Sequence, residues 1–282
     1  MTLETRDGLL DPGQIPGRWK IQAFTLGAVN SAGVRYRVVS HSEVPLKKTA
    51  VLYLHGMGGN LNDAAFLEDS ICQHKPLVRC ACYGLDNHLI SLLAVANLGD
   101  VCAVLHNSRQ AIHGIADQLG LESYDIVAHS WGGFAATLAA LDDPRCKKVM
   151  LLSSTPDILD ALGNLGNMIG VAALRPLAWL GKVALLSDAN NAKRGKAVHQ
   201  KAWNAIDPYR VPKNPSVKML IFNRQEDKVM KRWNVEHFLK HAREKSGMTN
   251  VSAEFITCPD LSDPHDMPLH KFKARMEQFL FA

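Results

Sequence analysis

The chain has 282 residues, of which 47% are hydrophobic and 21% charged, a balance that excludes an intrinsically disordered protein. Its net charge of +5 is mild, and no basic run is long enough to track a phosphate backbone, which argues against nucleic-acid binding. Residues 1–20 lack the apolar stretch of a signal peptide. The most apolar later stretch, Asn167 to Leu186, is broken by Arg175, Pro176 and Lys182, a poor pattern for a transmembrane helix. A soluble, cytoplasmic protein is expected, with Cys72, Cys80, Cys82, Cys102, Cys146 and Cys258 as reduced thiols in no metal-binding spacing. Cys80 and Cys82 alternate along one strand and are expected to pack on one face of it.

In chain order, Ile21–Val29 and Val34–Ser40 read as strands joined by a hairpin-type connection at Asn30-Ser31-Ala32-Gly33. Ala50–Leu54 is a short apolar strand that ends in a glycine-rich turn, and Val78–Leu85 is a further strand. Asp100–Leu119 carries apolar residues at helical spacing and stops before Gly120. Asp125–Ala128 is a strand followed by a helix of small residues, Trp131–Leu141. Val149–Ser153 and Val217–Phe222 are buried-type strands, Val251–Thr257 alternates, and Pro268–Phe281 closes the chain as a helix. Strands alternating with helices imply an α/β domain, a mostly parallel sheet flanked by helices, with ligand sites beyond the carboxyl ends of the strands.

Four segments at such strand ends hold the residue types of nucleophilic catalysis. Ala128-His129-Ser130-Trp131-Gly132-Gly133 places a serine on a strand-to-helix turn, with the small Ala128 and Gly132 where backbones crowd together. His55-Gly56-Met57-Gly58-Gly59 is a glycine-rich loop able to turn N–H groups toward an oxyanion, and it lacks the G-K-[ST] ending of a nucleotide loop. Asn223-Arg224-Gln225-Glu226-Asp227-Lys228-Val229 offers two acids after a strand. Asp263-Pro264-His265-Asp266-Met267-Pro268 offers a histidine between the last strand and the last helix, with His270 as its competitor.

From about Ile21 to the C-terminus, these segments in this order resemble the α/β-hydrolase superfamily. They depart from its G-x-S-x-G pattern only in Ala128. The resemblance implies Ser130 as nucleophile, His265 as general base and Asp227 as the supporting acid, with Glu226 in reserve. It also implies Met57 and Trp131 backbone amides as the oxyanion hole, with no metal and no organic cofactor. Residues 1–156 and 216–282 would form the core. Residues 157–215, roughly sixty where a short crossover would do, would form an inserted helical cap. That insertion is rich in Leu, Ile, Met and Ala, including Leu162 and Met168. An apolar cap suggests a lipophilic substrate, although the same residues could simply pack the cap.

The leading expectation is a carboxylesterase- or lipase-like serine hydrolase acting on a small lipophilic ester as a monomer or homodimer. A thioesterase or C–C bond hydrolase on the same triad is an alternative, and a non-catalytic small-ligand receptor is another. Dehalogenase or epoxide-hydrolase chemistry is disfavoured, because those relatives place an aspartate where Ser130 stands. His55 is read as a packed structural residue. His106 and His113 read as one solvated or half-buried helix face. His237 and His241, although spaced i,i+4, read as exposed residues without a third metal ligand.

Overall fold

The computed structural model describes residues 3–18, 33–41, 48–56, 59–81, 98–158, 200–210, 216–258 and 269–282, together with residues 161, 187, 191 and 214. The apolar runs of the sequence become strands because a run buried on both faces satisfies its backbone only within a sheet. Together with the mostly exposed edge strand β1 (Leu3–Leu10), the strands are β2 (Val34–His41), β3 (Thr49–Leu54), β4 (Leu77–Cys80), β5 (Ser123–His129), β6 (Cys146–Leu152), β7 (Lys218–Arg224) and β8 (Val251–Ile256). One sheet results, in the order β1-β2-β4-β3-β5-β6-β7-β8. The strands from β4 through β8 are parallel, while β1 and β2 are antiparallel to their neighbours.

Side-chain alternation divides the core into two halves. Leu52, Ile126, Val149 and Ile221 enter one face, and Val51, Val127, Met150 and Leu220 enter the other. Helices α1 (Leu98–Gln118), α2 (Gly132–Asp142), α3 (Gln200–Ile206) and α4 (Arg232–Ser246) cover the first face. Helix α5 (Leu269–Phe281) covers the second through Phe272, Met276 and Leu280. This is the α/β-hydrolase arrangement. Among the described residues, no helix is long and apolar enough to cross a membrane.

Among the described residues, the neighbours of Val34–His41 are β1, in continuous register from Leu3↔His41 to Leu10↔Val34, and β4. The segment Ile21–Val29 itself lies outside the described residues, as do Cys82 and most of the proposed cap. The nearer end of the insertion packs on the core. Trp203 and Ile206 of α3 are buried, and Arg109 Nη1 of α1 donates to the Ala205 carbonyl at 3.1 Å.

One sequence expectation needs correction: His113 is half-buried as expected, but His106 is buried rather than solvated or half-buried. The His106 Nε2 lies 2.9 Å from the Gly17 carbonyl and its Nδ1 lies 3.0 Å from Arg109 Nη2. Arg109 can only donate, so Nδ1 accepts and the neutral Nε2–H tautomer donates to Gly17. Burial pushes the imidazole pKa down to about 4, with the Gly17 bond opposing the shift and Arg109 adding to it. Asp142 and His113 also face this group, and burial lowers His113 as well. A neutral histidine in the fold means that the unfolded chain takes up the proton first. Stability is therefore intact above the ordinary histidine value of about 6.5 and falls until the pH passes about 4. The urea midpoint is expected to drop over that window. His106→Gln, whose amide can still donate to Gly17, is expected to flatten the drop; an unchanged pH profile in the variant would contradict this.

Candidate active site

Ser130 follows β5 at the carboxyl edge of the sheet, where a strand must reverse into α2 within two residues. The reversal places Ser130 at φ 49°, a left-handed backbone that non-glycine residues rarely adopt. Such strain persists only where the surroundings over-determine it, and three hydrogen bonds do so here. Ser130 N donates to the Leu152 carbonyl (2.9 Å), Gly133 N donates to the Ser130 carbonyl (3.0 Å), and Ser154 Oγ donates to the same carbonyl (2.7 Å). Ser130 is 4% exposed.

The glycine-rich turn after β3 lies directly against this elbow. A Cβ on Gly132 would stand 2.5 Å from the His55 carbonyl oxygen and 2.8 Å from that of Leu54, while one on Gly56 would stand 3.1 Å from Ser130 Cβ. At Gly132 only glycine lets the two backbones approach so closely, whereas a side chain at Gly56 would require its neighbours to give by a few tenths of an ångström. Gly59 N closes the turn on the Gly56 carbonyl at 3.1 Å. His55 is fully buried, with Nδ1 donating to the Gly56 carbonyl at 2.6 Å. Met57 lies outside the described residues. Trp131, the residue before α2, is 2% exposed and meets Phe134 edge-on at 5.5 Å between ring centroids.

Asp227 follows β7 and is 4% exposed. Its Oδ1 accepts the backbone N–H groups of Val229 and Met230, each at 2.8 Å, so the loop folds around the carboxylate. Glu226 turns elsewhere: its Oε2 accepts Cys258 N at 3.1 Å and lies 3.8 Å from Arg224 Nε. In the sheet order, β6 alone separates the strand before Ser130 from the strand before Asp227. His265 lies outside the described residues, in the stretch between β8 and α5, and His270 is the second residue of α5.

Sequence reasoning missed the polar tie between these two loops. Asn223, fully buried at the end of β7, accepts Ser154 N at 3.0 Å and donates Nδ2 to the carbonyls of Ser154 (3.0 Å) and Met230 (3.3 Å). Ser154 in turn holds the Ser130 carbonyl. Hydrogen bonds therefore run from the Ser130 turn, through Ser154 and Asn223, to the loop that wraps Asp227. No local signal in the sequence reports such a tie, because its partners lie about seventy residues apart. The other histidine pair is half-buried: His241 Nδ1 donates to the His237 carbonyl at 2.9 Å, and the two rings lie 4.0 Å apart. Among the described residues, no three His, Cys, Asp or Glu side chains come together as a metal site.

Comparison with known proteins agrees with this arrangement. Residues 102–199 match the family model described as alpha/beta hydrolase fold. No curated protein sequence matches the chain. Among solved structures, it is similar to Est1E from Butyrivibrio proteoclasticus (TM-score 0.52, 13% identity, 88% of this chain and 93% of that one). It is also similar to 2-hydroxy-6-oxo-6-phenylhexa-2,4-dienoate hydrolase from Rhodococcus sp. strain RHA1 (TM-score 0.52, 13% identity, 91% and 92%). Prolyl oligopeptidase B from Galerina marginata superposes with TM-score 0.60 at 10% identity over 98% of this chain, which spans only 36% of that larger protein.

Proposed function

We propose that this chain, which has the α/β-hydrolase fold, is a serine hydrolase that cleaves a carboxylic ester of a lipophilic substrate through an acyl-enzyme on Ser130. The observation that supports this most is Ser130 itself, held in a left-handed turn at the head of α2 by three hydrogen bonds. Buried Ser153 shares a positive φ of 44°, so the strain supports the reading together with the place of Ser130 at the head of α2. Asp227 supports the reading as a buried carboxylate two strands away, a gap of about 10 Å at ordinary strand spacing that a bridging imidazole suits.

In this mechanism His265 takes the Ser130 hydroxyl proton as Oγ attacks the ester carbonyl. Asp227 holds the imidazole in the right tautomer and stabilises its charged form. Backbone N–H groups of Met57 and Trp131 stabilise the tetrahedral oxyanion. Collapse expels the alcohol with the proton returned from His265, and water then releases the acid by the same steps. The apolar composition of residues 157–215 is the basis for a lipophilic substrate.

A panel of aryl esters of graded acyl length, with one thioester included, tests the reaction class. Each methylene buried adds about 0.8 kcal/mol, or roughly fourfold in affinity, so kcat/KM is expected to climb over several carbons and then level. Absence of turnover across the whole panel would overturn the esterase reading. On the best ester, His265→Ala is expected to lose nearly all activity while His270→Ala keeps most of it. Full activity in His265→Ala would remove it as the base.

A further inference from the structure

The large apolar side chains are mostly covered, but Trp233 on α4 is 51% exposed. Its place is specific. The loop wrapping Asp227 runs straight into α4, so Trp233 stands at the same sheet edge as Ser130, three residues beyond Met230, whose N–H binds Asp227. Around it the surface is cationic. Lys228 is exposed and Lys231 half-exposed just before the helix, while Lys240 and Arg243 are exposed seven and ten residues further along it. At 100° per residue these two share the outer side of α4 with Trp233. Arg232 is committed differently, its guanidinium 5.0 Å over the Phe255 ring and its Nε 2.6 Å from Glu236. That pairing neutralises Glu236, and the other acid on the outer side, Glu244, is exposed eleven residues beyond Trp233, where Lys240 and Arg243 outnumber it. Lys231, Lys240 and Arg243 have no ion-pair partner among the described residues.

We infer that this face, Trp233 with Lys231, Lys240 and Arg243, docks the protein on an anionic lipid surface. The inference goes beyond the hydrolase reading and does not depend on it. Charge complementarity identifies the occupant. A half-exposed indole suits the boundary between headgroups and acyl chains, and flanking cations are drawn to anionic headgroups. A folded protein partner would be expected to meet a broader apolar centre than one indole.

The test is co-sedimentation of the full chain with vesicles of phosphatidylcholine alone and with equimolar phosphatidylglycerol. Binding is expected only to the mixed vesicles and is expected to fade at high salt as the charges are screened. Each basic residue near such a surface is worth about fivefold in affinity. Lys231→Glu with Lys240→Glu should therefore weaken binding by more than about twenty-fivefold. Trp233→Ser should also weaken it severalfold, with the melting temperature and the hydrolysis of a soluble short ester left at wild-type levels. Three results would overturn the inference: no binding to mixed vesicles at low salt, equal binding by Trp233→Ser, or retention on an acidic polypeptide without vesicle binding, which would point to a protein partner. Loss of ester hydrolysis with vesicle binding intact would count against the catalytic reading alone.

Discussion

Ser130→Ala is expected to cut ester turnover by a factor on the order of a million, because no neighbouring group can replace the attacking oxygen. The fold should survive. The bonds that impose the φ 49° turn use the Ser130 backbone N–H and carbonyl, and alanine retains both. Circular dichroism and a melting temperature close to wild type would show that the loss is chemical. Turnover near the wild-type rate would place the nucleophile elsewhere.

Asp227→Asn is expected to cost about ten-thousandfold in kcat. The amide has the shape of the carboxylate, and its oxygen can still accept the Val229 and Met230 N–H groups that Asp227 Oδ1 now binds. The loop should therefore keep its form while losing the negative charge that stabilises a protonated base. Glu226→Gln is the matched control. Its carboxylate is engaged with Cys258 N, and its loss is expected to leave kcat within a few-fold of wild type. The opposite outcome, loss in Glu226→Gln alone, would move the acid role to Glu226.

What was legible in the sequence followed from how local each feature is. The parallel strands are continuous apolar runs because both their faces are buried, so β3, β5, β6 and β7 could be read directly. The turn at Ser130 was legible for the same reason, since strand, small residues and helix fall within a few positions. β1 was not legible: it is an edge strand whose side chains are mostly exposed, and only its backbone pairing with β2 defines it. The burial of His106 depends on the carbonyl of Gly17, 89 positions away. The tie through Asn223 likewise spans 69 positions to Ser154. Polar contacts at such separation leave no periodicity to detect. The strands and the turn that carries Ser130 were thus easier to read than the hydrogen bonds that hold them in place.

The nucleophile is the central claim, and covalent labelling tests it most directly. The protein would be treated with a fluorophosphonate probe, digested, and the modified peptide sequenced by mass spectrometry. The expected result is one stoichiometric adduct on Ser130, absent from Ser130→Ala and strongly slowed in His265→Ala. An adduct on another residue, or undiminished labelling of Ser130→Ala, would contradict the account.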